Sequence, residues 1–232
     1  MSLSGTAHPV ARAIDVPFLA WRRAVTAALL PFGGVLLHAA AISVDGRGLA
    51  FIGPSGRGKS THAGLWQRCF GEAVVMVNDD MPFARLAPTG PDGFNVHAAP
   101  TQEEREALAE LAQYGVGTCQ DEASAYIAGS PWMGKRRLGA CIERPLVAIV
   151  ALTRGRENRF LGRLPEADAL VRLFPQVYAI AGREAGVTDI LLRLIRAVPV
   201  CELVCTKEPE AATVCRDGLE RLCDSRSGRL GT

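Results

Sequence analysis

This 232-residue chain has few aromatic side chains and almost no net charge. It has three Trp and three Tyr, and its 26 Lys and Arg residues nearly balance its 24 Asp and Glu residues, for a formal net charge of +2. Proteins that bind nucleic acids or anionic membranes through charge are strongly basic, and single-strand binders stack bases on aromatic rings. The composition therefore indicates neither nucleic acid nor membrane as a partner.

Paired cysteines in metal-binding or redox spacing are also missing. The seven cysteines are an odd number, and no C-x-x-C motif occurs; they are Cys69, Cys119, Cys141, Cys201, Cys205, Cys215 and Cys223. Because no secretory signal is recognised either, we expect a cytoplasmic protein with buried free thiols. A zinc site made from the last four cysteines is the alternative, but their spacing is poor for zinc.

One long stretch without charged residues has two interpretations, a membrane-spanning helix or a series of shorter elements. No charged residue lies between Arg23 and Asp45, which is close to the length that spans a bilayer. Pro31, the glycines at 33–34 and His38 interrupt it. We therefore predict a helix, a turn and a strand rather than a membrane span.

Apolar runs and turn signals predict an alternation of helices and strands, typical of an α/β protein. Helices are predicted over 17–30, 61–70, 101–115, 165–181, 184–198 and 209–223, and strands over 35–44, 49–52, 73–77, 83–87, 94–98, 145–153, 159–164 and 200–206. We expect 159–164 to pair with 145–153. Residues 118–137 are predicted to be irregular, and the polar tail from Asp224 is predicted to be disordered.

The most specific motif is a glycine loop between a predicted strand and a predicted helix. It fits G-x-x-x-x-G-K-S/T, the phosphate-binding loop (P-loop) of nucleotide-binding proteins, and consists of Gly53, Pro54, Ser55, Gly56, Arg57, Gly58, Lys59, Ser60 and Thr61. In such a loop, backbone N–H groups and a helix N-terminus surround phosphate oxygens. The lysine can reach the β- and γ-phosphates, and the hydroxyl of Ser60 can bind Mg²⁺.

Two acidic residues follow the next predicted strand. Asn78, Asp79 and Asp80 end the apolar run over 73–77. Carboxylates beside a phosphate loop are positioned for Mg²⁺ and for a reacting hydroxyl. The alternative is a simple turn, since Asn and Asp favour turns.

A third cluster lies in the irregular segment. Glycines at 129 and 134 flank Pro131 and Trp132, and three consecutive cations follow, Lys135, Arg136 and Arg137. Arginine binds phosphate in a bidentate manner, so this cluster can clamp a phosphate or an acidic group. A solvated surface turn is the alternative.

Together these residues resemble the kinase domain of HPr kinase/phosphorylase, which shares its core with ATP-dependent phosphoenolpyruvate carboxykinase. In that family a histidine precedes the first loop glycine by fifteen positions, as His38 precedes Gly53. Small HPr-kinase-like relatives carry G-P-S-G-x-G-K-S-T-H and a later P-W-x-G-K, matched by 53–62 and 131–135. The resemblance covers roughly residues 35–206.

The resemblance implies an α/β fold with a mixed β-sheet core and a P-loop, flanked by helices, and ATP and Mg²⁺ as cofactors. It makes Asp79 the general base for a serine hydroxyl and Asp80 a Mg²⁺ ligand with Ser60, although the two acids could exchange roles. His38 would lie near the reacting phosphate. Lys135 and Arg136 would belong to a phosphate-clamping loop.

We predict three parts of the chain: a helical extension over 1–34, a P-loop kinase domain over 35–224 and a flexible tail over 225–232. We predict phosphoryl transfer to a serine of a peptide or small protein. The family's full K-loop signature and the substrate-recognition motif of the HPr enzyme are not recognisable, so we expect neither HPr as the substrate nor phosphorylase activity. The chain is also too short for the oxaloacetate site of the carboxykinase. A silent ATP- or ADP-binding regulatory module and a small-molecule kinase are the alternatives. HPr enzymes are hexamers, which leaves a homo-oligomer open here.

Overall fold

The computed structural model describes residues 18–87, 102, 106, 123–134, 136–178 and 181–227. The predicted strand over 94–98, most of the predicted helix over 101–115, Cys119 and Lys135 lie outside the described residues.

The described chain contains both helices and strands, as the apolar pattern predicted. The helices are α1 Phe18–Leu29, α2 Lys59–Phe70, α3 Glu166–Leu173, α4 Glu184–Ala197 and α5 Glu210–Ser227. The strands are β1 Gly34–Leu36, β2 Ala39–Val44, β3 Arg47–Ile52, β4 Val74–Asn78, β5 Phe83–Leu86, β6 Ala125–Ala128, β7 Glu143–Arg154, β8 Arg159–Arg163 and β9 Val200–Cys205.

Strand β7 organises one mixed sheet. It pairs in parallel with β3 on one side and β9 on the other, and β8 completes that edge antiparallel to β9. On the other side, β2 pairs antiparallel with both β3 and β4. The first residues of β7 also pair with β6, which continues through β5 to β1. The described residues therefore have the mixed α/β architecture that the sequence predicted.

Helices cover both faces of the central sheet because alternate strand residues are apolar on both sides. In β3, Ala50 and Ile52 face a core formed with α3 and α4, whereas Leu49 and Phe51 face a core formed with α2 and α5. A third, smaller cluster joins Val25, Ala28 and Leu29 of α1 to Leu36, Met81, Phe83 and Ala128.

The hairpin before the glycine loop is confirmed. Asp45 and Gly46 have φ values of 49° and 80° and join Val44 to Arg47, its register partner. A two-residue Asp-Gly turn with positive φ at both positions matches the twist of the strands it connects. Strand β3 then runs directly into the loop that begins at Gly53.

Several predicted elements are wrong or incomplete. The single strand over 35–44 is broken at Leu37 and His38, where the backbone bonds to Pro82 and Gln176 instead of continuing one ladder. The helix over 165–181 ends at Leu173, because Pro175 lies in the 3₁₀ turn that follows.

Two further errors concern pairing in the sheet. Strand β8 pairs with β9 and not with β7, whose long edge β9 already occupies. The segment over 118–137, predicted as irregular, contains strand β6.

Helix α5 reaches Ser227 and is thus longer than the predicted helix over 209–223.

The uncharged stretch is a helix, a turn and strands, as predicted. Helix α1 continues into a 3₁₀ turn over Leu30–Phe32, and Gly33 adopts a φ of 62° before β1 begins. Among the described residues, none of the helices combines the length and apolar character that crossing a bilayer requires.

The expected burial of free thiols holds for half of the described cysteines. None of the six forms a disulfide; Cys201, Cys205 and Cys215 are buried, whereas Cys69, Cys141 and Cys223 are exposed. The three buried thiols lie in β9 and α5, where they pack as small apolar side chains.

A buried ion pair ties the two parts of the sheet together. The guanidinium of Arg85 in β5 bonds both carboxylate oxygens of Glu143 at the start of β7, at 2.7 and 2.8 Å. The same guanidinium lies over the ring of Tyr126, 4.2 Å from its centroid. The Glu143 side chain is fully buried, so the stability of the fold depends on offsetting its negative charge with the Arg85 guanidinium.

Replacing Glu143 tests this dependence. Glu143→Gln leaves the mostly buried Arg85 cation without an anion, so we expect the free energy of unfolding to fall by about 3–5 kcal/mol. Chemical denaturation measures the change. The control Glu166→Gln removes an exposed ion pair with Arg196 and should have no measurable effect. Equal effects of the two substitutions would contradict the assignment.

Candidate active site

The glycine loop connects the end of β3 to the start of α2. Pro54, Ser55, Gly56 and Arg57 are exposed. Gly56 and Gly58 have φ values of 74° and 102°, a region that glycine adopts without strain. Gly58 is the N-cap of α2, and no side-chain hydrogen bond within the described chain caps this helix. Its first N–H groups therefore face the loop without a side-chain acceptor.

Lys59 folds back over this loop. Its Nζ donates to the Gly53 carbonyl at 2.9 Å and lies 3.1 Å from Nε2 of His38. The residue is only 8% exposed. Burial lowers the pKa of Lys59 to about 8, and the nearby Asp80 opposes part of that shift. The sequence-predicted lysine and histidine are thus brought together.

Ser60 connects the loop to the predicted acids. Its hydroxyl donates to the backbone carbonyl of Asp79 at 3.1 Å, which places the first turn of α2 against the end of β4. The Asp79 side chain is itself engaged elsewhere: Oδ1 accepts the backbone N–H of Gly134 at 2.5 Å, and the residue is 4% exposed. Asp79 therefore joins the glycine loop to the third cluster.

Asp80 lies close enough to Lys59 and His38 to interact with both electrostatically. Burial raises the pKa of Asp80; His38 and Lys59 lower it, and the neighbouring Asp79 adds to the rise. Burial also lowers the pKa of His38, and Lys59 lowers it further. The three groups form an electrostatically coupled set in which a gain or loss of charge at one changes the pKa of the others.

The segment over 129–140 runs alongside the end of β4. The Asp79 amide donates to the Leu138 carbonyl and the Ala140 amide to the Val77 carbonyl, each at 3.1 Å. The Gly134 backbone lies so close that a Cβ there would be 3.0 Å from Oδ2 of Asp79. The second and third sequence clusters are therefore one site.

Arg136 lies against helix α2. Its Nη1 lies 3.1 Å from the position that a Cβ would take at Gly64, so the guanidinium rests on α2 one turn beyond Ser60. The residue is exposed. Lys135, the other predicted cation of the clamp, lies outside the described residues.

Sequence reasoning missed the residue that holds this arrangement together. The Asn78 amide donates to the Ser130 carbonyl at 3.2 Å and to the Trp132 carbonyl at 2.9 Å. Its Oδ1 accepts the N–H groups of Asp80 and Met81 at 2.9 and 2.7 Å. In the sequence, Asn78 indicates only a turn, because its partners at 130 and 132 are distant in the chain.

A second missed group adjoins His38. Tyr178 lies 6.3 Å from the His38 ring between centroids, and the guanidinium of Arg22 lies 4.5 Å from the Tyr178 ring centroid. Tyr178 reaches this position because its amide bonds the Leu36 carbonyl. No local motif marks it.

The oxygen donors near the loop fit a Mg²⁺ ion that is held partly by substrate phosphates and waters. Among the described residues, no three His, Cys, Asp or Glu side chains gather in a metal-binding cluster. Mg²⁺ is commonly held by one or two carboxylates together with waters and substrate phosphates. The hydroxyl of Ser60 and the carboxylates of Asp79 and Asp80 supply the oxygen donors that such a site needs.

Comparison with known proteins gives a distant structural likeness. No family model matches the chain, and no curated protein matches it. Among solved structures, it is similar to the Hpr(Ser) kinase/phosphatase from Coxiella burnetii, with a TM-score of 0.36 and 11% identity over 84% of this chain and 96% of that one. At so low a TM-score we draw no functional conclusion from it, and the resemblance noted in the sequence stays a prediction.

The buried ammonium of Lys59 predicts a pH dependence of stability. Its pKa falls from 10.5 to about 8 on folding, so between these values the unfolded chain binds more protons and stability rises with pH. Without nucleotide or metal, the free energy of unfolding of the wild type should rise relative to Lys59→Met between pH 8 and 10. Urea denaturation at both pH values measures this difference. A constant difference would show that Lys59 titrates normally.

Proposed function

We propose that the protein is an ATP- and Mg²⁺-dependent kinase that transfers the γ-phosphoryl group to a serine hydroxyl of a peptide or small protein. The observation that carries this proposal is the contact of Ser60 with Asp79, which sets a phosphate-loop helix against an acidic pair. Lys59 and His38 complete the site on one side and Gly134 on the other.

The roles follow from where each group lies. The N–H groups of the loop and of the start of α2 bind the phosphates, and Lys59 moves its ammonium from the Gly53 carbonyl to the β- and γ-phosphates. Anionic phosphates also restore the charged form of a lysine whose pKa burial has lowered. Arg136, resting on α2, steadies the transferring group.

Ser60 and Asp80 would hold Mg²⁺, which when bound supplies positive charge to the β- and γ-phosphate oxygens. Asp79 orients the acceptor hydroxyl and takes its proton. The reverse assignment of the two acids is supported by the raised pKa of Asp80, since a carboxylate with a higher pKa is the better proton acceptor. The variants below distinguish the two assignments.

The second candidate function is a regulatory module that binds ATP or ADP and transfers nothing. It is supported by the state of Asp79, whose carboxylate is buried and bonded to Gly134. An acceptor hydroxyl reaches this carboxylate only if the segment over 131–134 moves away. A kinase for free serine is the small-molecule version of the first proposal, and the size of the acceptor separates the two.

Turnover of γ-labelled ATP with Mg²⁺ tests the proposal directly. Acceptors are serine-containing peptides and proteins encoded next to the gene, and free serine. We expect Asp79→Asn to lower phosphoryl transfer by about 100- to 10,000-fold, as loss of a general base does. Lys59→Ala should abolish transfer. Asp80→Asn should raise the Mg²⁺ requirement.

The outcomes separate the candidates. If the large fall in phosphoryl transfer occurs in Asp80→Asn and not in Asp79→Asn, then Asp80 is the general base and Asp79 is the Mg²⁺ ligand. ATP binding without transfer to any acceptor, unchanged by Asp79→Asn, would favour the regulatory module. Full transfer by Lys59→Ala would overturn the proposed mechanism.

The contact of Gly134 with Asp79 gives a separate prediction. In Gly134→Ala the new methyl lies about 3 Å from the Asp79 carboxylate and displaces either the segment or the acid. Because small misplacements of a reacting group are costly, we expect transfer to fall by about 10- to 100-fold with little change in ATP affinity. The control Gly186→Ala, where nothing lies within 4 Å, should leave transfer unchanged. Equal activity of both variants would show that the contact is not part of the site.

A further inference from the structure

Gln176 is a buried amide that the proposed mechanism does not use. The residue is 6% exposed and ends the 3₁₀ turn over Phe174–Gln176 that follows α3. Its Oε1 is buried, and among the described residues no hydrogen bond of good geometry reaches that atom. Buried polar atoms of native proteins nearly always have a partner, so this oxygen requires an explanation.

The backbone brings Gln176 to His38. The His38 amide donates to the Gln176 carbonyl at 2.6 Å, and the neighbouring residues Leu37 and Val177 form an isolated antiparallel bridge. Val177 also packs against the core under the sheet. Gln176 is therefore held at the break between β1 and β2, where His38 enters the candidate site.

The His38 ring already has a partner for one of its nitrogens. Nε2 lies 3.1 Å from Nζ of Lys59. Burial lowers the pKa of Lys59 to about 8, and burial also lowers the pKa of His38, so at neutral pH the lysine is charged and the ring is neutral. An ammonium group can only donate, so Nε2 accepts. Since a neutral imidazole carries one proton, that proton lies on Nδ1.

The Gln176 side chain supplies the acceptor that this N–H needs. Burial is the largest influence on the pKa of His38 and lowers it, whereas the hydrogen bond with the Gln176 side chain acts to raise it. An acceptor beside the ring has this effect, because it stabilises the protonated form. The amide nitrogen of Gln176 cannot serve here, since it would set a donor against the Nδ1–H donor.

We infer that Gln176 is a positioning residue, whose Oε1 accepts the Nδ1–H of His38 and thereby keeps Nε2 as an acceptor for Lys59. In the opposite tautomer, Nε2–H would point at the ammonium group and displace it from its place beside the Gly53 carbonyl. The inference rests on the proposed function in one respect, that Lys59 acts on the phosphates of ATP. The tautomer itself is a property of the free protein.

The tautomer of His38 is measured by ¹⁵N-resolved spectra of the imidazole. The full chain is used at neutral pH without nucleotide or metal, and His38→Asn identifies the signals of this ring among the four histidines. We expect a protonated Nδ1 and an unprotonated Nε2. A protonated Nε2 in the wild type would overturn the inference.

Two variants separate Gln176 from Lys59 as the cause of the tautomer. Lys59→Met removes the ammonium group, and we expect Nδ1 to stay protonated because the Gln176 oxygen remains. Adding Gln176→Met, which keeps the approximate shape of the side chain without its acceptor, should move the proton to Nε2 in a measurable fraction of molecules. A tautomer already lost in Lys59→Met, or unchanged in the double variant, would show that Gln176 does not set it. The spectra of the wild type and of Lys59→Met test the inference even if the double variant does not fold.

Kinetics tests the consequence for catalysis. With ATP and Mg²⁺, Gln176→Met should lower phosphoryl transfer by about 10- to 100-fold, since a small misplacement of Lys59 is costly. Gln176→Glu keeps an acceptor oxygen and should recover most of that loss. The control Gln67→Met removes a half-buried amide of α2 and should leave transfer unchanged.

The two measurements fail in different ways. If the wild type transfers no phosphoryl group, the proposed function fails, while the spectra still decide the role of Gln176. If the wild type is active and Gln176→Met is equally active, the positioning role is wrong. Equal losses in Gln176→Met and Gln176→Glu would also overturn it, because only one of these variants lacks the acceptor.

Discussion

The candidate site depends on the hydrogen bonds of one buried amide, that of Asn78. The side chain is fully buried at the end of β4, and it bonds the segment at 130–132 with its nitrogen and the turn at 80–81 with its oxygen. An amide is suited to this position because it both donates and accepts without charge. A carboxylate there would lack the donor, and an apolar side chain would leave several backbone groups unsatisfied.

This anchoring gives the two acids different surroundings although they are adjacent in sequence. The Asp79 carboxylate accepts a hydrogen bond from the Gly134 amide, whereas the Asp80 carboxylate interacts electrostatically with Lys59 and His38. One carboxylate is therefore hydrogen-bonded to the backbone, and the other stands in a cluster of titratable groups.

The sequence predicted those features of the site that are local. The glycine loop, the lysine and serine at the start of α2, and the acids after β4 each follow from a short pattern beside a strand. The cluster over 129–137 was predicted from its composition. The position of this segment against β4 depends on the backbone hydrogen bond between Ala140 and Val77, which composition does not indicate. The role of Asn78, the break at His38 and the partner of β8 depend on contacts between distant residues. Periodicity in a single sequence carries no information about such pairing.

The position of β7 also constrains the order in which the chain acquires its structure during synthesis. This strand pairs with β3, which precedes it by about a hundred residues, and with β9, which follows it. Contacts of such long sequence separation form slowly, and N-terminal segments leave the ribosome first. After the hairpin of β2 and β3 has been synthesised, the apolar edge of β3 therefore stays unpaired until β7 has emerged. A chaperone that covers that edge has its greatest effect in this interval.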